Sequence, residues 1–165
     1  MLHKMIIGGL AMDSSSNAPI LILNSVDENF SIPIWIGLLE AASIASVLQN
    51  ISFDRPMTHD LFKNFIETMD TQVTKIEVCD LKDNTFYAKI YCISKDGKFI
   101  LDARPSDAIA LALRLKAEIY VDDSVVESLK VKNGEYEIVD DSDQGKKWEE
   151  YLKNLSPEDF GKYKV

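Results

Sequence analysis

The sequence predicts an α+β fold in which a mixed, largely antiparallel sheet packs with about three main helices. Segments rich in β-branched residues alternate with clusters of turn-forming residues, which is typical of antiparallel strands. Three other stretches carry apolar residues at helical spacing. A chain of 165 residues can bury one core without disulfides or metals. We therefore expect one domain over residues 1–134, followed by an acidic linker and a helical C-terminal tail over residues 135–165.

Seven segments have the apolar character of β-strands, and turn formers separate most of them. Two of them flank Asp83-Asn84 and predict an antiparallel hairpin. With a three-residue loop, Ile76 and Val78 would share a face with Ala88, whereas Cys79 would point to the opposite face. The predicted strands are Met5 to Ala11, Ile20 to Val26, Ile32 to Ile36, Gln72 to Leu81, Phe86 to Ser94, Lys98 to Ala103 and Glu118 to Val121.

The two cysteines, Cys79 and Cys92, would face opposite ways in this hairpin, so we expect no disulfide between them. So sparse a pair fits a reducing cytoplasm. The longest apolar run, Ile32 to Ala45, is broken by Glu40 and is too short to span a bilayer. We therefore expect a cytoplasmic protein with no membrane role.

Helical spacing predicts a first helix from Leu38 to Leu48, and its many small residues indicate close packing. A second helix runs from Thr58, as its cap, to about Met69. Its buried face would carry Leu61, Phe65 and Met69. Pro105 suits the first turn of a third helix, Ser106 to Leu115, and Asp123 to Leu129 predicts a short helical turn.

Two polar strings resemble one another, and each leads into a predicted helix. They are Arg55-Pro56-Met57-Thr58-His59-Asp60 and Arg104-Pro105-Ser106-Asp107. Free amides at a helix start, beside a guanidinium, can bind a phosphate group. On this reading the phosphate-binding residues are Arg55, Thr58, Arg104 and Ser106. The alternative is structural, because Thr58 and Asp107 can cap helices and the Arg and Asp side chains can pair as ions.

Acidic and imidazole groups near these strings are the candidates for catalysis. His59 suits a general base, and Glu40 is the one acid in an apolar helix, so it needs a partner. The structural alternative for Glu40 is a salt bridge to Arg55, Arg104 or Arg114. The candidate catalytic residues are Glu40, His59, Asp60, Asp102 and Asp107. We expect them to converge in space with Arg55 and Arg104.

Several independent strings, taken in order, resemble the bifunctional nuclease domain family. The match covers roughly residues 3–128. Motifs of other enzyme classes are absent from the sequence, which contains no Gly-rich phosphate loop, zinc-spaced Cys/His set or Gly-x-Ser-x-Gly elbow. Local departures at Met69-Asp70 and Ala117 to Tyr120 leave the polar strings untouched. The matching strings are Ile32 to Gly37, Glu40-Ala41, Arg55 to Leu61, Asp80 to Asp83, Thr85 to Ala88 and Asp102 to Ala112.

The resemblance implies a single α+β domain, in a family with members that act on both DNA and RNA. It leads to a nuclease hypothesis in which Asp60, Asp102 and Asp107 hold Mg²⁺ or Mn²⁺, the ions that suit oxygen ligands. A net charge of −9 disfavours tight nonspecific binding to nucleic acid. A nucleic-acid substrate would therefore bind at a small local basic site. The rival hypothesis is a non-catalytic module whose polar strings form an ion network. We expect a homodimer in either case.

Overall fold

A computed structural model describes residues 1–132 and confirms the α+β class. Seven strands form one mixed sheet, and four helices accompany it. The predicted tail over residues 135–165 lies outside the described residues. The strands are β1 (Leu2–Met12), β2 (Pro19–Ser25), β3 (Ser31–Trp35), β4 (Gln72–Lys82), β5 (Thr85–Ser94), β6 (Gly97–Ala103) and β7 (Glu118–Asp122). The helices are α1 (Leu38–Leu48), α2 (Thr58–Thr68), α3 (Pro105–Leu115) and α4 (Asp123–Lys132).

The sheet has the order β3-β2-β1-β7-β4-β5-β6, so the first and last thirds of the described chain meet in its centre. All neighbouring strands are antiparallel except β4 and β7, which are parallel. The crossover from β6 to β7 runs through α3, which packs against β4, β5 and β7. Helix α1 packs on α3 and β2, and α2 packs on α3. Helix α3 is therefore the central helix, in contact with α1 and with α2, which follows the other polar string.

The β4–β5 hairpin shows how the sheet keeps its apolar residues on one face. Its turn is Asp83-Asn84, two residues with positive φ, rather than the three-residue loop considered above. A bulge between Val78 and Asp80 then shifts the register so that Val78, not Cys79, lies opposite Ala88. The predicted shared face is confirmed, because the bulge compensates for the shorter loop.

Both cysteines are free, which confirms that they form no disulfide. Cys92 is buried in the core, while Cys79 is half-buried on β4. Burial raises the pKa of each thiol above its ordinary value, which disfavours the reactive thiolate. Within residues 1–132 no helix has the length and apolar character needed to cross a membrane.

Two predictions for α2 are wrong. The cap position is Met57, not Thr58. The Met57 amide donates to Oδ2 of Asp60, which lies in the first turn of the helix, at 3.0 Å. The face predicted to be buried is exposed: Leu61 is 60% and Phe65 57% accessible, whereas Ile66 is in the core. Helix α2 instead packs through the adjacent face, which carries Ile66. The apolar pattern alone does not show which of the two faces is buried, because this depends on the packing of α2 against α3.

Candidate active site

A cleft of about 310 Å³ runs along α1 from Leu39 to Ser46 and reaches the start of α2 and both ends of α3. Each of these helices follows a residue in extended conformation, Gly37, Met57 or Arg104, so each chain segment turns sharply as it enters its helix. The glycine at position 37 leaves room for the Glu40 carboxylate, because a Cβ there would collide with it. The lining residues are Leu39, Glu40, Ala42, Ser43, Ser46, Phe53, Met57, Thr58, His59, Arg104, Asp107 and Arg114.

Glu40, Arg104 and Asp107 form an ion cluster at the mouth of the cleft, which we call the outer cluster. Arg104 Nε and Nη2 donate to the two oxygens of Asp107 at 2.7 and 3.1 Å, and Nη1 donates to Glu40 Oε1 at 2.9 Å. The Arg104 side chain is nevertheless 65% exposed. A guanidinium has more N–H donors than these three bonds use, so Arg104 can still donate to a ligand.

Asp107 joins the outer cluster to a chain of hydrogen bonds that runs into the cleft. Its Oδ1 lies 3.0 Å from His59 Nε2, and His59 Nδ1 lies 2.8 Å from Ser43 Oγ. Burial raises the pKa of Asp107, but the bonds from Arg104 and His59 outweigh it and hold the pKa below the ordinary value. Asp107 is therefore an anion at neutral pH and can orient the imidazole ring.

Arg114 and Asp60 form a second ion pair deeper in the same wall, which we call the inner pair. Arg114 Nε donates to Asp60 Oδ1 at 2.6 Å, and its other nitrogens donate to the carbonyls of Ala110 and Ser43. Only 5% of the Arg114 side chain is exposed. Burial raises the pKa of Asp60, yet Arg114 and the Met57 amide hold it below the ordinary value. The inner pair links all three helices.

The structure brings together four of the residues that the sequence predicts to converge: Glu40, His59, Arg104 and Asp107. Asp60 joins them indirectly, since its partner Arg114 lines the cleft. Three of the predicted residues do not line it: Asp60, Arg55 and Asp102. Arg55 is exposed in the loop before α2, and Asp102 is exposed on β6 opposite Lys89, so the predicted convergence is not found for these two. On β6, strand alternation turns Asp102 away from the neighbours that face the core.

The remaining phosphate-binding candidates differ in accessibility. Thr58 is exposed and lines the cleft, whereas Ser106 is buried in the first turn of α3 and does not line it. A buried hydroxyl is poorly placed to meet a phosphate that arrives from solvent. The phosphate-binding role of both residues stays a prediction, and the geometry favours Thr58.

The candidate metal ligands are separated rather than grouped. Asp60 is bound to Arg114, Asp107 to Arg104 and His59, and Asp102 lies on β6 outside the cleft. Within the described chain, no three His, Cys, Asp or Glu side chains are arranged to hold a metal ion. These residues as placed do not fit Mg²⁺ or Mn²⁺.

Two important residues were not predicted for the site. The sequence motifs assign no role to Ser43, although it follows Glu40 by three residues and so shares a face of α1 with it. The sequence suggests Arg114 only as a partner for Glu40, but it binds Asp60 instead. Helical spacing from Glu40 was the signal that could have identified Ser43.

Comparisons with known proteins agree with the resemblance seen in the sequence. A family model described as the Bifunctional nuclease domain matches residues 21–134, which include every residue lining the cleft. A protein of Mycobacterium tuberculosis (strain CDC 1551 / Oshkosh), described as uncharacterized, is 33% identical over 157 residues, covering 92% of this chain and 94% of that protein.

Plant proteins named as nucleases are more distant. Bifunctional nuclease 1 of Oryza sativa subsp. indica is 25% identical over 112 residues, covering 66% of this chain and 34% of the rice protein. Bifunctional nuclease 2 of Arabidopsis thaliana is 25% identical over 118 residues, covering 69% of this chain and 36% of the plant protein. The similarity therefore spans about a third of each of these plant proteins.

Proposed function

The chain belongs to the bifunctional nuclease domain family, and from that premise we propose that its cleft hydrolyses phosphodiester bonds in DNA, RNA or both. The observation that carries the proposal is the position of Arg104. Its guanidinium is held by Glu40 and Asp107 yet stays mostly exposed at the mouth of the cleft, beside a histidine whose ring is fixed by hydrogen bonds. A cation that can bind phosphate, placed beside a proton acceptor, can promote attack on a phosphodiester.

Each residue has a distinct task in this proposal. Arg104 binds the phosphate and stabilises the charge that grows on its oxygens in the transition state. His59 accepts the proton of the attacking hydroxyl group, and Asp107 orients the imidazole and stabilises its charged form. Glu40 holds Arg104 in place, because it binds the nitrogen that Asp107 leaves free.

Purified protein assayed on labelled DNA and RNA tests the proposal, with and without EDTA. Arg104→Ala, purified in the same way, should lose cleavage and so controls for contaminating nucleases, while Lys95→Ala, in the exposed β5–β6 turn, should keep it. Cleavage that survives EDTA would agree with the separated carboxylates of the cleft, whereas loss of cleavage in EDTA would show that a divalent ion takes part. Cleavage that is equal in the wild type and Arg104→Ala would contradict the proposed site.

The second candidate function is a non-catalytic, dimeric interaction module. It is favoured by the ion network itself, since three bonds already occupy Arg104 and a stabilising role would need nothing more. This alternative requires that carefully purified wild-type protein cleaves neither substrate. It also requires Arg104→Ala to lower stability markedly.

A homodimer is part of both proposals, and the exposed face of α2 supports it. Leu61, Phe65 and Met69 recur every fourth residue and are each more than half exposed, which makes one apolar stripe. A second copy of the chain would shield this stripe. Light scattering should give a dimer mass for the wild type and a monomer mass for Phe65→Glu, with Lys63→Glu on the same helix as the control. A monomeric wild type at micromolar concentration would refute the dimer.

A cytoplasmic location likewise stays a proposal, consistent with the two free cysteines.

A further inference from the structure

Ser43 makes an unusual bond for a serine inside a helix. Such a hydroxyl ordinarily points to solvent or donates to a backbone carbonyl one turn earlier in its own helix. Ser46, on the same helix and also lining the cleft, does this and donates to the Ser43 carbonyl at 2.9 Å. The Ser43 hydroxyl instead lies 2.8 Å from His59 Nδ1 on α2. The environment thus directs one of two similar serines toward a base.

The hydrogen-bond pattern assigns the direction of both bonds to His59. The Asp107 carboxylate can only accept, so His59 Nε2 must carry the proton that it donates to Asp107. In the neutral ring, Nδ1 then has a lone pair and accepts from Ser43 Oγ. This is the logic of an activated nucleophile: a hydroxyl bonded to a base, whose other nitrogen is oriented by a carboxylate.

We propose that Ser43, His59 and Asp107 form a nucleophilic triad in which Ser43 Oγ attacks the phosphorus of a phosphodiester. The proposal deepens the nuclease function and rests on it for the class of substrate. Ser43 and Arg104 both line the cleft, and Glu40, one helical turn before Ser43, binds Arg104. The nucleophile and the phosphate-binding cation are therefore presented on the same side of α1.

The reaction proceeds in two balanced steps. Ser43 Oγ loses its proton to His59 Nδ1 and bonds to phosphorus; the bond from phosphorus to the nucleoside oxygen breaks, and that oxygen takes the proton from His59. Water then attacks the phosphoserine diester so formed, again giving its proton to His59. The bond from phosphorus to Ser43 Oγ breaks, and His59 returns the proton to the serine. One water is consumed for each bond cleaved.

A biotinylated alkyl fluorophosphonate tests the nucleophile without relying on nuclease activity. Attack by a serine oxygen expels fluoride, which leaves with the serine proton, and attaches the phosphonyl group. Intact mass and peptide mapping should locate the adduct on Ser43 in the wild type and in Ser46→Ala. His59→Gln should react roughly hundredfold more slowly, because it has lost the general base. Circular dichroism melts establish that each variant is folded.

The outcomes separate the two proposals. An adduct on Ser43 that depends on His59 supports the triad, and if labelled DNA and RNA are then not cleaved, the nuclease function fails while the nucleophile stands. A wild type that cleaves nucleic acid but forms no adduct on Ser43 overturns the triad and leaves the nuclease function intact. An adduct on another residue, or one on Ser43 that forms equally fast in His59→Gln, also overturns it.

Discussion

Arg104 and Arg114 make similar bonds with opposite consequences. Each guanidinium donates to an aspartate in the first turn of a helix, and each connects α3 to another helix. Arg114 is 5% exposed and also satisfies two backbone carbonyls, whereas Arg104 is 65% exposed and keeps unused donors. The difference is burial rather than chemistry.

Burial decides what such a pair contributes, because water screens an exposed charge and leaves a buried one dependent on its partner. The inner pair, Asp60 with Arg114, therefore stabilises the junction of three helices. The outer cluster is weakly stabilising and open to an anion from solvent. One wall of the cleft thus contains a buried pair that stabilises the fold and an exposed cluster that can bind a ligand.

Arg114→Ala should have the largest effect on stability, lowering the free energy of unfolding by about 3 kcal/mol. The substitution strands the Asp60 carboxylate and removes the bonds that the guanidinium donates to the Ala110 and Ser43 carbonyls. The figure is at the lower end for buried pairs because Asp60 is partly exposed. Urea denaturation followed by circular dichroism measures it. A loss below that of Arg104→Ala would refute the distinction between the two regions.

Asp107→Ala should come next, with about 2 kcal/mol lost and cleavage reduced on the order of a hundredfold. Asp107 accepts from both Arg104 and His59, so its removal frees the cation and misorients the imidazole. The loss of stability comes from these side-chain bonds and not from a helix cap, because none of its hydrogen bonds is to a helix amide. Parallel urea denaturation and cleavage rates check both effects. Unchanged cleavage by the folded variant would show that His59 needs no orienting carboxylate.

Arg104→Ala should cost about 1 kcal/mol of stability or less but lower cleavage on the order of a hundredfold. The exposed guanidinium adds little to folding, while a bound phosphate would lose its principal cation. Melting temperatures measured beside cleavage rates show the contrast, and Arg104→Lys tests whether the charge suffices without the paired donors. Activity that falls only in proportion to the unfolded fraction would make the outer cluster a scaffold.

His3 resembles Arg114 in being a buried cationic group beside carboxylates, but its charge depends on pH. Its substitution should have the smallest effect on stability. It is 8% exposed and lies 2.9 Å from both Asp123 and Glu28. The bond to Asp123 is the main reason that its pKa is raised above 6.5. A raised pKa contributes stability that is full below 6.5 and is lost as the pH rises through the folded-state pKa.

Urea denaturation of the wild type and His3→Gln at several pH values checks this. The wild-type advantage should be greatest under acidic conditions and shrink as the pH rises above 6.5. A difference in stability that does not change between mildly acidic and alkaline pH would show that the charge on His3 contributes nothing, and that burial of the ring alone matters.

Local sequence was a good guide to the elements but a poor guide to their faces. The bounds of α1 were predicted residue for residue, and Pro105 opens α3 as expected, because apolar period and proline geometry act over a few residues. The exposed face of α2 was misassigned. Leu61, Phe65 and Met69 recur at helical spacing just as core residues do, and no local rule distinguishes a core face from an exposed apolar face.

By itself, the sequence determined the α+β class, the strands and helices, and the two polar strings that open α2 and α3, since turn chemistry and hydrophobic period are properties of neighbouring residues. Only the tertiary structure decided which polar groups meet. Asp107 binds a histidine 48 positions away, and that histidine binds a serine 16 positions away, so both contacts depend on how α1, α2 and α3 pack. Packing also buried Arg114 and left Arg104 exposed, because exposure is set by neighbours that lie far apart in the chain.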